Sequence, residues 1–227
     1  MRLLSLSSIL LLFISPSIAI ENEQPQKVLS PFPSGLGFRF IRRELKKAQI
    51  ITEVLDDFLP KCNVLPSYPH QPVHLGNELK NATTQSRPKV RIFCPHLKRR
   101  DIKGLAIALT DPDAPSRENP KWGEMCHWIG IVTLGKGKGK EGVLDVEVGE
   151  GVEDELVGYK PPGPPEKTGY HRYIFVLLEG ETGNLTAPSE RRHWGTGKER
   201  HGIRDWASKE GLKVIGANYF VEENEKQ

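Results

Sequence analysis

Three short blocks carry side chains that could bind or react, each at the edge of an apolar run. Asp111-Pro112-Asp113-Ala114-Pro115-Ser116-Arg117 follows the Gly-bounded apolar stretch 104–110, and His127-Trp128 lies sixteen residues beyond Asp111. Each proline fixes its own φ and pushes the preceding residue towards extended geometry, so neither Asp111 nor Ala114 can join a helix and the loop is rigid. Rigid polar loops at strand ends are where function concentrates; the same composition also makes ordinary turns, with Asp113 as a cap. The third block, His171-Arg172-Tyr173, opens an apolar run behind the proline-rich segment 158–168. Alternation places His171, Tyr173 and Phe175 on one face and Arg172, Ile174 and Val176 on the other.

Two imidazoles and a phenol can donate to a phosphate, and a carboxylate can orient an imidazole or meet an ammonium group. A head group carrying both phosphate and amine would satisfy both signs, and its binding would depend on histidine protonation. The alternative reading is enzymatic: Asp111, His127 and His171 as a two-histidine, one-carboxylate metal triad of a metal-dependent phosphoesterase. A nucleophilic hydrolase has less to build on. No Gly-x-Ser-x-Gly elbow is present, and Cys126, adjacent to His127, points to the opposite face of any strand they share.

No cofactor is expected. Gly137, Gly139 and Gly142 match a dinucleotide-binding spacing, but the alternating strand 143–148 follows where that site needs a helix, so a hairpin tip is the better account. His70 and His74 are separated by Pro72, which forbids the helix that would bring them to one metal.

The elements that must hold these residues are mostly strands. The 227 residues suit one domain, and 18 prolines and 22 glycines favour strands and turns over long helices. A formal charge of +3 is too small for a surface that tracks nucleic-acid phosphates. Strands are predicted at 89–93, 104–110, 127–134, 143–148, 171–178 and 212–221. Helices are predicted from Phe40 to Leu59, through Ile41, Leu45, Ala48, Ile51, Leu55 and Phe58, and at 203–209. This order predicts a mainly β, antiparallel two-sheet sandwich with peripheral helices.

Residues 1–19 read as a secretory signal: Arg2, an apolar run from Leu3 to Ile14, and small residues at Ser17 and Ala19. Cleavage there gives a secreted, or alternatively vacuolar, chain with a loose arm at 20–38, one domain at 39–223 and a disordered tail at 224–227. No other apolar stretch is long enough to span a membrane. Asn81-Ala82-Thr83 and Asn184-Leu185-Thr186 are glycosylation acceptors on that route. Of three cysteines, an oxidising compartment pairs two; sequence leaves the connectivity open, and Cys62 with Cys94 is the expected bridge, leaving Cys126 free.

Taken together, Asp111-Pro-Asp-Ala-Pro-Ser116, Glu124-x-x-His127-Trp128, the block from Gly163-Pro-Pro165 to Gly169-Tyr-His-Arg-Tyr173, and Gly216-Ala-Asn-Tyr-Phe220 resemble the phosphatidylethanolamine-binding protein family. The pieces 54–58 and 73–76 look like its fungal branch, which includes a carboxypeptidase Y inhibitor. The resemblance implies the two-sheet sandwich and one small anion pocket for phosphatidylethanolamine-type head groups. Asp111 lines that pocket with Asp113 beside it, and Pro115 shapes the loop behind a cis peptide. His127, His171 and Tyr173 supply donors, and Tyr219 closes the mouth. It also implies a monomeric, non-enzymatic module, with a serine carboxypeptidase as a further partner. The sequence departs from the family at Met125 and Cys126, where relatives often carry an aromatic residue and a second histidine, and this bears on the pocket wall.

Overall fold

A computed structural model of the chain describes residues 36–133, 144–148 and 155–227. The expected signal segment, nearly all of the arm and the hairpin tip at 135–142 lie outside the described residues.

Ten strands are described: β1 (Asn63–Tyr68), β2 (Gln71–Pro72), β3 (Asn77–Glu78), β4 (Lys89–Cys94), β5 (Leu105–Asp111), β6 (Met125–Val132), β7 (Leu144–Val148), β8 (Glu155–Val157), β9 (His171–Glu179) and β10 (Lys213–Glu222). They form a four-stranded sheet, β2-β1-β4-β7, and a six-stranded sheet, β3-β10-β9-β5-β6-β8. Pairing is antiparallel except where β3 runs parallel to β10. Leu105, Ile107 and Leu109 of β5 and Tyr173, Phe175 and Leu177 of β9 meet Val64, Tyr68, Val90 and Ile92 of the smaller sheet in one core. The alternate residues, Ala106, Ala108, Ile174, Val176 and Leu178, face a second core beneath the helices. Both faces of the larger sheet are therefore covered, which is why β5 is an unbroken apolar run and not an alternating one. Cys62 and Cys94 are bridged across the β1–β4 pair with Cα atoms 4.2 Å apart, and Cys126 is free and buried.

The second core is closed by α1 (Leu36–Lys47), a distorted turn α2 (Ile50–Glu53) and α3 (Gly202–Lys209). The helix expected from Phe40 to Leu59 begins earlier and breaks after Lys47. Gln49 takes φ 58°, and Thr52, a β-branched residue, takes φ 109°. Tertiary donors win over the helix here. Arg172 Nη1 donates to Ala48 O at 2.7 Å, Arg204 Nη2 to Thr52 O at 3.0 Å, and Arg117 Nη2 to Gln49 Oε1 at 2.7 Å. The break also buries Ile50, Ile51, Val54 and Leu55 together, which no straight helix could do with a single apolar stripe.

Candidate anion-binding site

Strand order brings the three sequence blocks to one end of the larger sheet. β5 ends in Asp111, its neighbour β9 begins with His171, and His127 lies early in β6 on the other side. Thr110 pairs with Cys126 and Leu109 with Trp128, so His127 is the extra residue of a β-bulge. A bulge re-aims side chains: His127 meets Tyr173 edge-on, ring centroids 5.3 Å apart, while Cys126 stays in the second core. Cys126 thus faces away from the histidines. His171 stacks on the same Tyr173 at 6.4 Å, so the phenol ring stands between two imidazoles.

The hydrogen bonds fix the state of each imidazole. His171 Nδ1 lies 2.9 Å from Asp111 Oδ2 and Nε2 lies 3.0 Å from Thr168 Oγ1. The Thr168 hydroxyl also lies 2.8 Å from Pro165 O, and when its single proton goes there Nε2 donates to it. A carboxylate at Nδ1 and a hydroxyl that can accept at Nε2 together favour the imidazolium form of His171. Burial alone would lower its pKa, but the Asp111 hydrogen bond and charge outweigh it and raise it. His127 is the opposite case. Its Nδ1 donates to Lys160 O at 2.8 Å, Nε2 has no hydrogen-bond partner among the described residues, and burial pushes its pKa down. One neutral imidazole therefore offers a free nitrogen beside a fixed cation.

The proline-rich loop is held by these same groups. His127 takes Lys160 O, Tyr173 Oη accepts from Gly163 N at 3.3 Å, and Thr168 ties Pro165 to His171. Asn224 Nδ2 donates to Pro164 O at 3.0 Å, Lys167 N to Lys226 O at 3.2 Å, and Lys226 Nζ pairs with Glu166 at 3.0 Å. Residues 224–227, expected as a disordered tail, are thus hydrogen-bonded along this loop. The loop has polar backbone groups that no neighbouring strand claims, and the tail meets them: Asn224 donates to Pro164 O, while Lys167 N and Gly169 N donate to Lys226 O and Gln227 Oε1.

Asp113 and Tyr219 are not part of this cluster. The Ala114–Pro115 peptide is cis. Asp111 Oδ1 accepts from Asp113 N at 2.8 Å, and the second aspartate turns to Arg172 and Arg200 on the outer face. There Asp113, fully buried, accepts from Arg172 N, Nε and Nη2 at 3.0, 2.8 and 2.7 Å and from Arg200 Nη2 at 3.2 Å. Arg172 also reaches Glu53 Oε2 at 2.8 Å. Burial would raise the Asp113 pKa; the Arg172 hydrogen bonds and charge override it and hold the carboxyl below its usual range. Tyr219, expected to close the mouth, pairs with Ile174 and packs in the second core, its ring against Gly76. The next residue, Phe220, is the one that faces the site, stacked on Tyr173 at 5.1 Å. Pro115 is partly exposed in the loop beside Asp111.

Sequence reasoning missed Glu222, the cross-strand partner of His171. Fully buried, it accepts from Asn81 Nδ2 at 2.9 Å and Thr84 Oγ1 at 2.8 Å. Its signal was present: Glu222 shares the alternation phase of core-facing Phe220, an unusual place for a charge. It was hidden by the acidic run that follows. Asp111, His127 and His171 do not converge as ligands, and among the described residues no three His, Cys, Asp or Glu side chains are grouped to hold a metal ion.

This fold is a two-sheet antiparallel sandwich with a histidine–aspartate cluster at one end of the larger sheet. The family model for phosphatidylethanolamine-binding proteins matches residues 69–220, and the chain belongs to that family. An uncharacterized protein of Saccharomyces cerevisiae is 36% identical over 158 residues, covering 67% of this chain and 76% of its own length. The carboxypeptidase Y inhibitor of the same yeast is 27% identical over 202 residues, covering 78% and 92%. The crystal structure of carboxypeptidase Y inhibitor complexed with its cognate proteinase superposes with a TM-score of 0.73 at 26% identity, covering 82% of this chain and 96% of that one. Among the described residues no helix is long and apolar enough to cross a membrane.

Proposed function

We propose that this chain is a secreted binding module that holds a phosphate-bearing head group and acts by occupancy, not turnover. The observation that carries this is the free Nε2 of buried His127 beside an imidazolium held by Asp111 and Thr168. An anion at that nitrogen requires its protonation, so a phosphate would bind together with one proton and gain a charge-assisted hydrogen bond. The Asp111 carboxylate gives the site its negative side, which favours a ligand carrying an amine next to its phosphate. The metal-dependent phosphoesterase reading has less support: Asp111 is taken up by His171 Nδ1 and Asp113 N, and among the described residues no three His, Cys, Asp or Glu side chains are grouped to hold a metal ion.

Inhibition of a serine carboxypeptidase is the second activity we propose. It is favoured by likeness to a carboxypeptidase Y inhibitor along almost that protein's whole length. Both are tested on one preparation, by calorimetry with glycerophosphoethanolamine and by an inhibition assay on carboxypeptidase Y. A form starting near Leu36, where α1 begins, is compared with the mature chain. Micromolar to millimolar head-group binding without phosphoester turnover is the expected result. Metal-dependent turnover of a phosphoester, or no binding and no inhibition, would refute the proposal.

A further inference from the structure

We propose that Glu222 is a further positioning residue of this site, a second counter-charge to the His171 imidazolium placed on the strand opposite Asp111 and held there by Asn81. The inference rests on the anion-site reading, and part of it is testable without any ligand. His171 begins β9, and the strands on its two sides, β10 and β5, each present a carboxylate at this level: Glu222 directly across from it and Asp111 at hydrogen-bond distance. The other charged or titratable groups near the ring are Asp113, whose carboxylate is taken by two arginines on the outer face, Tyr173, which stacks on it, and His127 beyond Tyr173. Glu222 is the remaining acidic group without a cation of its own: its oxygens are met by a neutral amide and a neutral hydroxyl. Burial pushes the Glu222 pKa up, while its hydrogen bonds from Asn81 and Thr84 and the charge of His171 oppose that shift and favour the carboxylate, which favours the imidazolium in return.

Asn81 links this charge to the wall of the site. Its two Nδ2 protons are both used, one on Glu222 Oε1 at 2.9 Å and one on Pro162 O of the proline-rich loop at 3.1 Å. The same nitrogen is the acceptor atom of the Asn81-Ala82-Thr83 sequon, and a glycan would leave it a single N–H. The latch therefore requires an unmodified Asn81. The other sequon is unconstrained, with Asn184 exposed in a turn and no side-chain hydrogen bond at its amide among those described.

The test reads the ring of His171 by heteronuclear NMR titration in the full mature protein, with glycerophosphoethanolamine affinity measured beside it. Glu222→Gln keeps the shape and removes the charge; the His171 pKa is expected to fall by roughly one unit. Thr84→Val, which removes one donor from Glu222 and touches nothing in the ligand site, guards against a folding defect and is expected to shift His171 in the same direction. Thr83→Ala, which destroys the sequon and spares the amide, is expected to leave both readouts at wild-type values. Peptide mapping of secreted protein is expected to find glycan on Asn184 and none on Asn81. An unchanged His171 titration in Glu222→Gln, or a fully occupied Asn81 in protein of wild-type affinity, would overturn the proposal. If wild type fails to bind glycerophosphoethanolamine while His171 still shifts in Glu222→Gln, the anion-site reading falls and the Glu222 assignment stands.

Discussion

Replacing Asp113 with Asn separates a structural aspartate from a ligand-binding one. The wild-type carboxylate takes four hydrogen bonds from Arg172 and Arg200 in a fully buried position. Removing one partner of a buried ion pair leaves an uncompensated charge and costs about 3–5 kcal/mol. Glu53 still faces Arg172 at 2.8 Å and the Asn oxygen still accepts, so the lower end, about 3 kcal/mol, is expected. The pH dependence has a definite sign. The folded pKa of Asp113 is depressed, so its contribution is fully present above the unfolded value of about 3.9 and is lost as pH falls through the folded value. The gap between wild type and Asp113→Asn is therefore expected to be level from about pH 5 to 8 and to narrow below about pH 4. Urea unfolding followed by tryptophan fluorescence measures it at each pH. A gap below about 1 kcal/mol at pH 7 would refute the buried-pair account. A tenfold loss of glycerophosphoethanolamine affinity in the folded variant would show that Asp113 faces the ligand after all.

Two further outcomes are expected. Glycerophosphoethanolamine has no phosphate ionisation near neutrality, so the pH dependence of its affinity reports the imidazoles of the site, His127 and His171. Because the bound anion raises a His127 pKa that burial holds low in the free protein, affinity is expected to fall as pH rises between the free and bound values, by up to about tenfold per unit, with His127→Ala removing this part of the dependence. The Cys62–Cys94 bridge closes a 32-residue separation, and replacing both cysteines with serine is expected to lower stability by about 3–4 kcal/mol in chemical denaturation; a loss under about 1 kcal/mol would contradict the loop-entropy account.

Strands were legible because their signals are local. Apolar runs bounded by glycine and proline gave β5, β6, β9 and β10 to within about two residues, and alternation correctly divided His171 and Tyr173 from Arg172. What failed was set by groups distant in sequence. The break after Lys47 comes from arginines at 117, 172 and 204, which compete for backbone and side-chain acceptors that a periodicity argument gives to the helix. Tyr219 was misplaced by one residue, and in a strand one residue is the opposite face. Asp113 and Asp111 look equivalent in the sequence; only the turn between them sends one carboxylate to a histidine and the other to two arginines. Glu222 and the 224–227 tail were missed because polar residues near the end of a chain read as solvated until their partners are known.

The buried free thiol of Cys126 has a chemical consequence. Thiol–disulfide exchange proceeds through the thiolate, and burial pushes the Cys126 pKa up to about 12, so the folded chain presents almost no nucleophilic sulfur. Lying on the face of the larger sheet away from the Cys62–Cys94 bridge, and bordered by Val157 and the loop 188–191, it meets a reagent from solvent only when that cover lifts. The rate at which an alkylating reagent captures Cys126 is therefore a clock for that opening, running at a site where no label need be introduced.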